Sequence, residues 1–154
     1  LFLDNIEKLK KRNLGTIIDI IKYSVRVKLN IVSKDPFDDN LRRLLNLGHT
    51  LGHAFESFTG TSHGLSVGWG IKKEIELFGK NIDLKSKKLI IEFLENIIPE
   101  EILNKDVDMD KLKKYIVQDK KINSNNKIDI PIIEKIGKVD LKSFDSKDVV
   151  SLFT

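Results

Sequence analysis

Residues 38–58, DDNLRRLLNLGHTLGHAFESF, contain no proline and repeat their apolar residues at helical spacing. A chain carrying such a segment has to bury one side of it. Leu44, Leu45, Gly48, Leu51, Gly52 and Phe55 make up that side. At about 100° per residue, Arg42, Asn46, His49 and His53 fall within an arc of roughly 60° on the opposite side, with Glu56 at its edge. The pattern predicts a helix over 39–58, opened by the capping chemistry of Asp38, Asp39 and Asn40 and closed by Gly60.

All three histidines of the chain lie in or just after this segment, at His49, His53 and His63. A polar helix face that only meets water is normally built from Lys and Glu, which this chain has in abundance. Asn and His there instead favour a site. Imidazole is the commonest metal ligand and is easily tuned for proton transfer near neutral pH. His49 and His53, four apart, can present two nitrogens to one ion, with His63 arriving from the start of the next helix. The spacing HTLGH lacks the glutamate of H-E-x-x-H, so a zinc protease would be without its general base.

Composition narrows the class. A length of 154 residues suits one domain, and 40% hydrophobic residues are enough for a core. No run approaches the ~18 apolar residues of a membrane span, and no signal-like segment opens the chain. The absence of cysteine excludes disulfides, thiolate ligands and cysteine nucleophiles, and is compatible with the cytoplasm. Net charge is +4, but the 27 basic and 23 acidic residues are interspersed and aromatics are few, which argues against a nucleic-acid groove. The chain opens on Leu1 rather than methionine, so a fragment of a longer protein is expected.

Further helices are expected over 3–12, 16–33, from near His63 to 79, over 84–97, and from Asp108 to Gln118. Gly15 separates the first two, and the small residues Gly64, Ser66, Gly68 and Gly70 should let the helix after His63 pack closely. KIDIPIIEKIGKVDL, with Pro131 and Gly137, reads as a hairpin, and a last short helix is expected over 145–153. The fold class is mainly α: a multi-helix bundle with a small β hairpin, one domain over 1–154. On the helix over 16–33, Lys28 falls inside the stripe of Ile17, Ile21, Val25, Ile31 and Val32, where it must either snorkel out or meet an anion. Asp119, Lys120 and Lys121 end the sixth helix, where a charge cluster is ordinarily just solvated.

LRRLLNLGHTLGHAFE followed by SHG-x-x-V-x-x-G resembles the 3-dehydroquinate synthase family of sugar-phosphate cyclases. Lys28 stands fourteen residues before Arg42, as the family lysine does, and QDKK at 118–121 is similar to a late family motif. The resemblance implies the C-terminal domain of a two-domain, NAD-dependent lyase whose NAD-binding half lies outside this chain. It implies that His49 and His63 bind Zn2+ or Co2+ together with a glutamate upstream of Leu1. It also implies that Arg42, Asn46, His53, Lys28 and one of Lys120 and Lys121 contact a sugar phosphate, with catalysis falling to His53, Lys28 and Asn46. The implied reaction takes 3-deoxy-D-arabino-heptulosonate 7-phosphate to 3-dehydroquinate and phosphate in the shikimate pathway, in a cytoplasmic homodimer. The isolated chain is expected to be inactive. One departure stands out: the family's His-Gly-Glu-Ala-Val reads His63-Gly64-Leu65-Ser66-Val67 here, so a carboxylate that would support the site is expected to be missing, which bears on the substrate identity. Rivals are another cyclase, making an inosose or valiolone, and a metal-dependent alcohol dehydrogenase of the glycerol-dehydrogenase type.

Overall fold

The computed structural model describes residues 2–118, 127–145 and 149. Lys120, Lys121 and nearly all of the helix expected over 145–153 lie outside them. Seven α-helices of four or more residues occur in order among the described residues: α1 (Ile6–Lys10), α2 (Leu14–Lys34), α3 (His49–Thr59), α4 (His63–Phe78), α5 (Leu84–Ile97), α6 (Glu100–Leu103) and α7 (Met109–Gln118). Short 3-10 turns cover Leu3–Asn5, Leu41–Asn46 and Gly79–Asn81. Strands β1 (Lys127–Lys135) and β2 (Lys138–Asp145) close the described chain as an antiparallel hairpin. This is the mainly helical bundle with a hairpin that the pattern predicts. None of the described helices is long and apolar enough to cross a membrane.

The core centres on the α3–α4 pair. Phe55 and Trp69 stack with centroids 4.3 Å apart and planes 20° from parallel. Leu51, Ala54, Leu112 and Val149 surround them. The Trp69 indole N–H donates to the Lys105 carbonyl at 3.3 Å, which satisfies its one polar atom. The hairpin contributes more than expected: Ile128, Ile130 and Ile132 alternate into this cluster, and Ile133 joins Ile75 and Ile82 in a second one.

The helix expected over 39–58 is not continuous. Leu41–Asn46 is a 3-10 turn, Leu47 leaves helical geometry, and Gly48 takes a left-handed φ of 74° before α3 begins at His49. Two interactions set the break. The Asp35 carboxylate, at the end of α2, accepts backbone N–H groups of Asp39, Asn40 and Arg42 at 2.9–3.0 Å. It supplies the chemistry expected of Asp38, Asp39 and Asn40, and the Asn40 side chain makes no cap hydrogen bond. The Gly48 N–H then donates to the buried Glu74 carboxylate on α4 at 2.7 Å.

Gly48 and Gly70 bring the α3 and α4 backbones into contact. A Cβ on Gly70 would lie 2.1 Å from the Gly48 carbonyl oxygen, and one on Gly48 would lie 2.6 Å from the Val67 carbonyl oxygen. Gly64, also expected to serve close packing, has open space around its Cβ position.

α2 departs most from expectation. It begins at Leu14, capped by Asn13, whose side chain accepts the Thr16 N–H at 3.0 Å, so Gly15 sits inside its first turn. It buries none of its residues. Ile21 is 55% exposed and Val25 49% exposed, so the apolar stripe containing Lys28 faces outward among the described residues. Periodicity identifies the face that is suited to burial, not the surface that covers it.

Three carboxylate hydrogen bonds hold Asp35 below the ordinary range, that of the Arg42 N–H first, then those of Asn40 and Asp39. A depressed folded pKa stabilises the fold above the unfolded value of about 4 and ceases to do so as pH falls through the folded value. Thermal midpoints measured between pH 7 and pH 2.5 should therefore drop steeply in the acid limb. Asp35→Ala should melt lower at pH 7 and show a shallower limb. Parallel curves for the two proteins would contradict the assignment.

Candidate metal centre

His49 opens α3, His53 follows one turn later, and His63 opens α4 across the Gly60 turn. Gly60 itself is left-handed at φ 66° and its N–H bonds the Glu56 carbonyl, the usual way a helix ends before a sharp return. The close α3–α4 approach, with the start of α3 against Val67–Ile71, lets the His63 ring reach those of His49 and His53. Ring centroids are 5.3 Å apart for His49–His53, 5.3 Å for His49–His63 and 5.5 Å for His53–His63. One nitrogen from each ring lies within 4.8 Å of the others.

Hydrogen bonds fix two of the tautomers. His49 Nδ1 lies 3.0 Å from the Leu47 carbonyl oxygen, which can only accept, so that nitrogen carries the proton and Nε2 keeps its lone pair. His63 Nδ1 lies 3.0 Å from Glu56 Oε2 and is oriented the same way. The resemblance leaves the site short of a carboxylate, because Leu65 replaces the family glutamate. In the structure Leu65 packs against Leu94, Ile98 and Leu103 while Glu56, from α3, provides a carboxylate partner for His63. The signal was present in the sequence: Glu56 is seven residues after His49 and three after His53, on one helical side.

The group fits a divalent ion. Tetrahedral zinc takes nitrogens at about 2.0 Å, which sets them about 3.3 Å from one another, within rotamer adjustment of the present spacing. Borderline nitrogen donors suit Zn2+ and Co2+ alike. An ion site of this kind normally leaves room for an exchangeable ligand, which is what separates catalytic from structural zinc.

The structure does not gather the other expected residues onto the same stripe. In a 3-10 turn residues three apart eclipse, so Arg42 and Asn46, four apart, point about 120° apart rather than the 40° of an α-helix. Both are half-buried on the Leu41–Asn46 turn. The Arg42 guanidinium donates to the Pro36 carbonyl at 3.3 Å. Lys28 is exposed on α2, about 10 Å of helix before Asp35 at 1.5 Å per residue. Lys120 and Lys121 lie outside the described residues. Arg43, unremarked in the sequence, bolts this turn to the hairpin: it donates to the Asp38 carbonyl at 3.2 Å and pairs with Asp129 at 2.9 Å. Asp129 is in turn held by Ser143.

Three imidazoles converging where two helices meet make this a helical domain with a candidate metal centre. Residues 1–122 match the family model described as 3-dehydroquinate synthase C-terminal. The bifunctional shikimate kinase/3-dehydroquinate synthase of Thermotoga maritima is 38% identical over 97% of this chain, which covers 30% of that protein. The 3-dehydroquinate synthase of Thermodesulfovibrio yellowstonii is 36% identical over 89% of the chain, covering 39% of its length. A solved structure of 2-deoxy-scyllo-inosose synthase, complexed with carbaglucose-6-phosphate, NAD+ and Co2+, superposes with a TM-score of 0.74 at 17% identity, covering 90% of this chain and 41% of that one. At that identity it speaks for the fold. The chain belongs to the 3-dehydroquinate synthase C-terminal family, and it spans about a third of the length of these relatives.

Proposed function

We propose that this chain is the metal- and substrate-binding part of a 3-dehydroquinate synthase, a carbon–oxygen lyase that converts 3-deoxy-D-arabino-heptulosonate 7-phosphate to 3-dehydroquinate and phosphate. The observation that carries the reading is the convergence of His49, His53 and His63 within 4.8 Å in a chain 38% identical to a protein of that name. The cyclase that shares the fold is only 17% identical, which favours the dehydroquinate reading over an inosose synthase.

In this proposal His49 and His63 hold the divalent ion, zinc or cobalt, and an NAD-binding half outside the chain holds the nucleotide. The ion supplies Lewis-acid polarisation of substrate oxygen, and NAD supplies the hydride acceptor. Arg42 and Lys28, with Lys120 or Lys121, bind the carboxylate and phosphate of the substrate. A planar guanidinium suits either anion through paired hydrogen bonds. Asn46 orients a hydroxyl, and His53, neighbouring the ion, moves a proton. Fixing both anionic ends restricts a flexible intermediate to the geometry that closes the ring. The cationic side chains that this reading assigns to the substrate argue against a glycerol-dehydrogenase-like activity on an uncharged polyol. A cytoplasmic homodimer follows from the same resemblance.

The test uses the full-length protein that contains this chain, assayed for phosphate release from the heptulosonate phosphate. Turnover on that substrate, and none on glucose 6-phosphate, is expected. Lys28→Met keeps most of the side-chain stem and removes only the charge. Because Lys28 is exposed, its thermal midpoint should stay unchanged while turnover falls at least about tenfold, the loss expected when a charged contact worth about 1.5 kcal/mol or more is removed. Normal turnover of that variant would take Lys28 out of the site.

A further inference from the structure

Glu56 has no role in the chemistry described so far, yet its carboxylate meets His63 Nδ1 at 3.0 Å, which leaves Nε2 as the nitrogen of that ring open to an ion. Both side chains are open to water, Glu56 37% and His63 55% exposed. An ion pair this exposed contributes little to folding. What the bond does fix is which nitrogen of His63 is protonated and how the ring is turned. His63 stands at the first position of α4, where no preceding turn of that helix restrains its side chain. His49 gets the same restraint from the Leu47 carbonyl, and so has its own anchor in the backbone. His63 depends on a side chain from another helix.

We propose that Glu56 is a positioning residue: it holds the His63 ring with the proton on Nδ1 and the lone pair of Nε2 aimed at the metal position. It also makes that imidazole a stronger donor by accepting its N–H with a full charge. This rests on the reading of the imidazoles as metal ligands. Carboxylates that receive a ligand histidine's far N–H in this way typically account for a 10- to 100-fold difference in metal affinity.

Three forms of the full-length protein that contains this chain separate this role from a structural one: the unaltered protein, Glu56→Gln and Glu56→Ala. Co2+ affinity, read by titration of the visible absorption of the bound ion, should fall about 10- to 100-fold in Glu56→Ala. The fall should be smaller in Glu56→Gln, whose amide oxygen still accepts the N–H without the charge. Thermal midpoints of the metal-free proteins should coincide. Long-range 1H–15N correlation spectra of the metal-free proteins should show His63 as the Nδ1–H tautomer in the unaltered protein and as a tautomer mixture in Glu56→Ala. Equal Co2+ affinity in all three forms overturns the proposal and leaves the metal site standing. If the full-length protein that contains the unaltered chain takes up no Co2+, the metal reading fails, and the tautomer spectra alone decide: an unchanged Nδ1–H population in Glu56→Ala overturns the positioning role as well.

Discussion

Gly70→Ala should unfold this domain more readily than any single substitution of its size elsewhere on α4. The new methyl would meet the Gly48 carbonyl oxygen at 2.1 Å and the Gly52 nitrogen at 2.7 Å. Both are backbone atoms of the facing helix, so no rotamer change relieves the clash, and the two helices have to separate. Overpacking of a core costs typically 1–3 kcal/mol. With backbone on the other side, a loss of about 3 kcal/mol is expected, or roughly 6–12 °C of thermal midpoint for a domain of this length. Because the same contact places His63 beside His49 and His53, metal uptake should fall with it. Gly64→Ala is the control. Its Cβ meets nothing within 4 Å, and alanine is the better helix former by up to about 1 kcal/mol. The control should melt at the same temperature or slightly higher. Equal midpoints for the two variants would mean that α3 and α4 are not in backbone contact.

His49→Ala and His63→Ala should each abolish measurable Zn2+ binding by the chain, an effect beyond the roughly 10- to 100-fold attached to a ligand's hydrogen-bonding partner. With a third, carboxylate ligand expected outside the chain, affinity of the chain itself should be modest. His53→Ala should reduce it less, since His53 is assigned to the substrate. Calorimetric titration of the three variants discriminates the assignments. Tight one-to-one binding, lost equally on removing any one of the histidines, would make all three of them ligands and leave His53 no proton to move.

Pattern carried far where the interaction is local. Helical spacing, Gly60 and Pro99 define α4, α5 and α7 to within a residue or so, because caps and turn residues act on the backbone next to them. The hairpin was legible from β-branched runs around Gly137, which takes φ 86° between β1 and β2. The histidines were legible as a group because their spacing in sequence is short enough for one helix and one turn to bring them together.

The failures are all non-local. Helical spacing alone puts Arg42, Asn46, His49 and His53 on one stripe, and a carboxylate on α2 together with another on α4 overrides it. Asp35 and Glu74 draw backbone N–H groups out of α-helical register on either side of Leu41–Leu47. Nothing in the local sequence of the segment announces either partner. The outward face of α2 is the converse case, an apolar stripe whose periodicity is unambiguous and whose cover no periodicity specifies. The family pattern puts a carboxylate two residues beyond His63, where this chain has Leu65, and the structure supplies one from seven residues back, at Glu56, because a turn and a helix contact decide which side chains meet. The amino-acid sequence alone determined most of the helices, the hairpin and the short spacing of the candidate ligand histidines. Tertiary packing at Gly48 and Gly70 decided that the imidazoles converge, and the fold across the Gly60 turn decided which carboxylate meets His63, since hydrogen bonds and close contacts reach across space rather than along the chain.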